Sequence, residues 1–283
     1  DFLKKIFGMI YFREEIAVPF QFDSRVRYSE MGLDKRLTLV SLVDYFQDCS
    51  TFQSEDYGVG IDVLKEKSRA WMVLSWQIEI LRRPVLGEKI VAQTWPYAFK
   101  TFFGYRNFTL KDEAGEYLAK ANSVWALIDT KTGHPTKPEP ELISGYELEP
   151  PLLMPEYSRK IKVPEGGVVK EAFPVGKLHI DTNGHVNNGQ YIAMAEEYLP
   201  DGFETKLLRV EYRQQARLHD LIIPVVHEEE NEVTVSLCGI SEEKQRTDGI
   251  LRECAGKTAV KWPAVPDKVY AVVVFAEEDG KRG

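Results

Sequence analysis

Residues 78–90, IEILRRPVLGEKI, can be laid without a gap on residues 210–222, VEYRQQARLHDLI, at an offset of 132. Glu79 meets Glu211, Leu86 meets Leu218, Glu88 meets Asp220 and Ile90 meets Ile222. In both stretches an alternating segment leads through basic residues to a turn and a second apolar segment, the pattern of consecutive antiparallel strands. Upstream, TLVSLVDYFQD (38–48) falls on QYIAMAEEYLP (190–200) at an offset near 152. Leu39/Tyr191, Val40/Ile192, Val43/Ala195 and Phe46/Tyr198 are apolar in both, at the i, i+1, i+4, i+7 spacing of a helix's buried face. The chain therefore reads as one plan written twice, a helix followed by several strands. The larger upstream offset predicts a longer helix or loop in the first copy, over residues 53–68.

Alternating β-branched and aromatic residues predict strands at 70–80, 89–95, 101–111 and 117–128, and again at 205–215, 221–228, 232–239 and 255–262. The apolar tail at 268–283 reads as an added edge strand or a mobile terminus. Between the copies, residues 133–170 hold seven prolines from Pro135 to Pro164 with little periodicity, which predicts an extended surface linker. A helix followed by antiparallel strands must bury its apolar stripe on the sheet, so the fold class is α+β. A sheet wrapped about a central helix, built twice, is a tandem hotdog arrangement: an N-terminal hotdog over 1–132, the linker over 133–170 and a C-terminal hotdog over 171–283.

The 283 residues are 43% hydrophobic and 28% charged, which leaves ample material for a core and excludes disordered and collagen-like classes. No stretch reaches the eighteen or so apolar residues of a membrane span. A net charge of −8 argues against a nucleic-acid binder relying on general phosphate attraction. Cys49, Cys238 and Cys254 are far apart and in no metal-ligand or CxxC spacing, so reduced thiols and a cytoplasmic location are expected. Lys4 and Lys5 precede a short apolar run with no small-residue cleavage site, a pattern that reads against a secretory signal.

The chemistry is concentrated in LHIDTNGHVNNGQYIAMAEEYL (178–199), where Asp181, Asn183, His185 and Asn187 fall at every second position. In an extended segment they point to one face, with Gly184 as the place where it can bend. Asn187 or Asn188 can cap the following helix, and Asn187 with Gln190 resembles a capping box. An acid–base pair, an amide and a helix N-terminus are what hydrolysis of an activated acyl group needs: a group to activate water, one to orient it and donors for the tetrahedral oxygen. No nucleophilic Ser or Cys lies in the segment, so direct attack by water is favoured. A structural reading also stands, in which Asp181 and Asn183 form an Asx-type turn, Asn187 caps and His185 is half-buried. A calcium loop fails, because Gly falls at loop position 4 and Ile192 at position 12. Zinc is weak, with His179 and His185 the only nearby ligating nitrogens and no cysteine beside them. At the offset of 152 the first copy has Ser29, Met31 and Leu33 opposite Asp181, Asn183 and His185, so the polar triad occurs once and implies one reactive half.

D-T-N-G-H-V-N-N-G-Q-Y (181–191) resembles the D-x-N-x-H-V-N-N-x-x-Y signature of the acyl–acyl-carrier-protein thioesterases of bacteria and plants. V-E-Y-R-Q-Q-A (210–216), A-N-S-V-W-A-L-I-D (121–129) and the two-copy plan extend the resemblance over roughly 16–263. It implies a double hotdog whose first half holds a fatty acyl chain and whose second half is catalytic through Asp181, Asn183 and His185, with no cofactor or metal. His185 is expected to take the proton from water, with Asp181 and Asn183 orienting water or imidazole, or the roles of Asp181 and His185 exchanged. Plant members carry Glu-Cys in the E-Y-R-x-E-C segment where this chain has Gln215 and Ala216, so a Cys–His mechanism at that place is excluded. Gln215 and Asn187 are expected to support the site. The implied partner is acyl carrier protein bearing a phosphopantetheine-linked acyl chain, docked on Arg82–Arg83, Lys65/Lys67/Arg69 or Arg159–Lys160–Lys162, with the enzyme a monomer or homodimer. An acyl-CoA thioesterase and a non-catalytic acyl- or lipid-binding module are the rival functions.

Overall fold

A computed structural model of the chain describes residues 19–241 and 266–277. The strand expected at 255–262, Cys254 and the N-terminal run lie outside the described residues. In chain order the elements are β1 (Phe20–Arg25), a 3-10 turn (Tyr28–Glu30), α1 (Leu39–Asp56), α2 (Ile61–Glu66), β2 (Arg69–Ile80), β3 (Lys89–Lys100), β4 (Phe103–Asp112) and β5 (Tyr117–Asp129). There follow α3 (Pro140–Ile143), β6 (Val168–Val169), β7 (Phe173–Pro174), a second 3-10 turn (Lys177–His179), α4 (Asn188–Glu196), β8 (Leu207–Tyr212), β9 (Leu221–Glu228), β10 (Glu232–Gly239) and β11 (Lys268–Ala276). Among the described residues one antiparallel sheet runs β1-β3-β4-β5-β2-β8-β11-β10-β9-β6, with β7 also on β9. β2 against β8, with Trp76 opposite Val210, is the seam where the two copies join.

α1 begins because Thr38 accepts the Ser41 N–H at 3.1 Å, and it buries Leu42, Val43, Phe46 and Cys49. Phe46, Trp76 and Phe108 pack ring on ring beneath it. α4 buries Tyr191, Ile192, Met194 and Ala195. One continuous apolar core holds residues of both halves, from Phe46 and Trp76 to Ile192, Val210 and Phe275. Two central helices wrapped by antiparallel strands are the tandem hotdog plan. No helix among the described residues is long and apolar enough to cross a membrane.

The turns bear out the strand repeat at its offset of 132. Glu88 accepts the Val85 N–H at 3.0 Å, and Asp220 accepts the Arg217 N–H at 2.9 Å. Gly87 (φ 78°) and His219 (φ 71°) take the same left-handed conformation. The upstream offset differs from the 152 expected. The bridges Met31–Leu37 and Ile180–Val186, and the caps Thr38 and Asn187, place it at 149. A three-residue slip leaves a helical apolar stripe on nearly the same face, so apolar matching alone does not fix this register, whereas caps do. The counterparts of Asp181, Asn183 and His185 are therefore Gly32, Asp34 and Arg36, not Ser29, Met31 and Leu33.

Two further expectations are corrected. β11 is neither an edge strand nor a loose terminus: it lies between β8 and β10. β8 stops at Tyr212, short of the expected 215. Residues 150–161 cross the sheet face opposite the helices. Pro150 accepts from Trp95, Leu152 donates to Asn107, Pro155 accepts from Gln77, Ser158 accepts from Arg209 and Ile161 donates to Glu211, at 2.8–3.0 Å. Proline-rich backbone makes no ladder of its own, and here polar side chains of the sheet satisfy it.

Candidate active site

The segment 180–187 is a closed turn, not the extended run expected from its alternation. Ile180 bridges Val186, Asp181 N–H donates to His185 O at 2.8 Å, and Gly184 takes φ 77°. Asp181 Oδ1 accepts the N–H of Asn183 at 2.8 Å and of His185 at 3.3 Å, so its carboxylate closes the turn as an Asx motif. The turn brings Asp181 and His185 together at its mouth and leaves Asn183 exposed at its tip. Asn187 caps α4 as expected, accepting the Gly189 N–H at 2.8 Å. The capping box with Gln190 does not form as drawn, because the Asn187 N–H is taken by His179 O at 2.8 Å.

The loop after β8 lies against this turn. Val186 N–H donates to Ala216 O at 2.9 Å, and Ala216 N–H donates to the Tyr191 hydroxyl at 2.8 Å. Arg217 is thereby carried near His185, and the Gln215 amide lies 3.7 Å from Met72 Sδ on β2. His185 is half-buried, and its Nδ1 is buried without a hydrogen-bond partner among the described residues. Burial pushes the imidazole below its usual pKa of 6.5, Arg217 pushes the same way, and Asp181 opposes them. The ring is neutral at pH 7 and able to accept a proton. Sequence reading did not find Arg217, whose influence comes from proximity across the turn and not from spacing.

The first half meets the first turn of α4 through α1. At the helix crossing, a Cβ on Gly189 would stand 3.2 Å from Val40 Cγ1 and 3.3 Å from Asp44 Oδ1, so the first turn of α4 sits directly on α1. Asn188 Nδ2 donates to Gln47 Oε1 at 3.1 Å, and the buried Tyr212 hydroxyl donates to Asn188 O at 3.0 Å. Burial, with Asp48 and Glu30 nearby, raises Asp44 to a pKa of about 6.

Cys49 donates to Ala92 O inside the first core and is pushed up to about 12, and Cys238, packed with Ile223 and Ile240, is pushed up to about 11. Neither is a thiolate at neutral pH. His179 Nδ1 is occupied by the Gly176 N–H at 3.0 Å. Among the described residues no three His, Cys, Asp or Glu side chains gather as a metal site.

Two family models match the chain: the acyl-ACP thioesterase N-terminal domain over residues 18–146 and the C-terminal domain over 165–252. The chain belongs to the acyl-ACP thioesterase family. Its two copies are thus the two domains of that family, and the architecture is a double hotdog. An acyl-[acyl-carrier-protein] hydrolase of Cuphea viscosissima is 27% identical over 217 residues, 71% of this chain and 53% of the relative. The chain spans about half the length of the curated relatives it matches. The crystal structure of an acyl-ACP thioesterase from Bacteroides thetaiotaomicron superposes with a TM-score of 0.74 at 23% identity, covering 90% of this chain and 96% of that one. The 12:0-ACP thioesterase from Umbellularia californica superposes at 0.71 with 16% identity, covering 91% and 96%. At these identities the two structures speak to the fold alone.

Proposed function

We propose that this chain hydrolyses the thioester of a fatty acyl group carried on acyl carrier protein, releasing free fatty acid and so ending fatty acid synthesis. The observation that carries the reading is a neutral His185 at the mouth of a turn that runs straight into a helix N-terminus, in a chain matched by both acyl-ACP thioesterase domain models. In this reading the acyl chain lies in the first half and the thioester carbonyl at the first turn of α4. There the positive end of the helix dipole favours the oxygen that becomes negative in the tetrahedral intermediate.

His185 takes a proton from water, and the water oxygen bonds the carbonyl carbon. As the intermediate collapses the C–S bond breaks, and the imidazolium returns the proton to the departing pantetheine sulfur. Asp181 holds the turn, with Asn187 and Gln215 in support, and Asn183, exposed at the tip, has no part in holding the water. The raised pKa values of Cys49 and Cys238 support attack by water over an acyl-enzyme.

Carrier docking needs cations that are not already paired. Arg82 is paired with Glu88 and Asp112, Arg83 with Asp34, and Arg69 with Asp129 and Glu139. Lys65 and Lys67, and Lys160 and Lys162, are exposed and form no ion pair among the described residues, which leaves these two clusters as the candidate docks. Lys160→Glu with Lys162→Glu is expected to raise KM for acyl carrier protein several-fold at low salt and to leave acyl-CoA unaffected.

The test of the reading is turnover of one acyl chain on the two carriers. Hydrolysis preferring acyl carrier protein supports it. Preference for CoA replaces it with an acyl-CoA thioesterase, and acyl binding with an intact thioester replaces it with a binding module.

A further inference from the structure

The turn before α4 and the loop after β8 meet at Ala216, which is buried. Its carbonyl accepts the Val186 N–H at 2.9 Å, and its own N–H donates to the Tyr191 hydroxyl at 2.8 Å. His185 precedes the donor of the first of these bonds and Arg217 follows its acceptor, so the Ala216 backbone sets how the two side chains approach. The first half makes the same crossing. Leu37 N–H donates to Pro84 O at 2.8 Å, with Leu37 standing for Val186 at the offset of 149 and Pro84 for Ala216 at 132. There the second bond is missing from both sides: proline has no N–H to donate, and the counterpart of Tyr191 is Leu42, with no hydroxyl to accept. The fold therefore closes this crossing without a tyrosine. The hydroxyl occurs only in the half that carries His185, and so does the cation, since Val85 stands where Arg217 does.

We propose that Tyr191 is a positioning residue for His185: by holding the Ala216 N–H, its hydroxyl fixes the loop after β8 so that Arg217 stays near the imidazole. The consequence for catalysis rests on the thioesterase reading, whereas the effect on the imidazole does not. Tyr191 is itself held, buried on α4 with its ring 5.8 Å from that of Tyr212, whose hydroxyl donates to Asn188 O. A buried N–H that loses its acceptor has no water to turn to, so the loop must shift to satisfy it. The charged groups that bear on His185 are Arg217 from the loop and Asp181 from its own turn. Those facing Tyr191 are Asp220 and Asp181, with Tyr212 beside it. Burial, with the two carboxylates, raises the Tyr191 phenol to about 12, so it acts at neutral pH through its hydrogen bond and not through a charge. Loss of the hydroxyl lets Arg217 move away, which removes one of the influences that lower the imidazole pKa.

The experiment titrates His185 itself by NMR, with His185→Ala to assign its signal, beside kcat and KM across pH on the preferred acyl thioester. It compares wild type, Tyr191→Phe, Arg217→Gln and the double variant. Tyr191→Phe is expected to raise the imidazole pKa and to move the acid limb of kcat to higher pH, the same direction as Arg217→Gln. It should lower kcat by up to about 10²-fold with KM little changed. In the double variant the two pKa shifts are expected not to add, because the tyrosine acts through the arginine. Ala216→Pro removes the same hydrogen bond from the donor's side, as Pro84 does in the first half, and gives the same reading where Tyr191→Phe does not fold. Lowered Tm with the imidazole pKa and the pH profile at wild-type values makes Tyr191 structural and overturns the proposal. Shifts that add in full overturn it as well, since the tyrosine then acts independently of Arg217. A wild type without turnover on any acyl thioester overturns the thioesterase reading, and non-additive NMR shifts in that same protein still uphold the positioning of His185 by Tyr191.

Discussion

His185 shows how much of the chemistry is set by immediate surroundings. Its imidazole is kept neutral by burial and by Arg217, against the pull of Asp181. Because the folded pKa is below the unfolded 6.5, the basic form persists to lower pH than in a free histidine, and the catalytic plateau should extend to the acid side. Removing the cation raises the pKa, so Arg217→Gln is expected to shift the acid limb of kcat to higher pH, which a pH–rate profile reads directly. The same sign governs stability. Below pH 6.5 the unfolded chain takes up the proton first, so this residue's contribution falls on acidification. That Asp181 and His185 lie together was legible in sequence because they stand four apart in a dense polar run, whereas the closed turn that leaves Asn183 exposed at its tip was not. Nor was Arg217, whose influence on His185 comes from a loop about thirty residues further along the chain.

At the scale of elements, the strands of the first half and the strand repeat were readable because alternation and turn residues are local signals. The turn pairs Glu88/Asp220 and Gly87/His219 repeat the same hydrogen bond and the same left-handed φ. The helix register was not readable, since an apolar stripe tolerates a slip that only Thr38 and Asn187 remove. Those caps are testable: Asn187→Ala should cost about 1 kcal/mol of stability, measured by denaturant unfolding, and loosen the first turn of α4. β11 was misplaced for a related reason. Its run VYAVVVFA lacks alternation because both faces are covered, one by the helical core and one by Ile161. That strap is held by Glu211, buried and accepting the Ile161 N–H at 2.9 Å. Glu211→Ala is expected to cost about 1–3 kcal/mol and to open residues 150–161 to limited proteolysis.

For the whole molecule, the β2–β8 seam and the contact of α1 with the first turn of α4 join two copies of one plan into a single sheet and a single core. The copies have diverged at the turn before their helices. The second carries Asp181, Asn183 and His185, the first Gly32, Asp34 and Arg36, with the backbone turn itself retained. That divergence supports a division of labour in which one half holds the acyl chain and the other attacks the thioester. The central claim is hydrolysis by water activated at His185. Its most direct test is the initial rate of free fatty acid release from acyl-carrier-protein thioesters by wild type and His185→Ala. The account predicts release by wild type and a loss of about 10²–10⁴-fold in the variant. Equal rates, or a wild type that binds the acyl carrier and leaves the thioester intact, would contradict it.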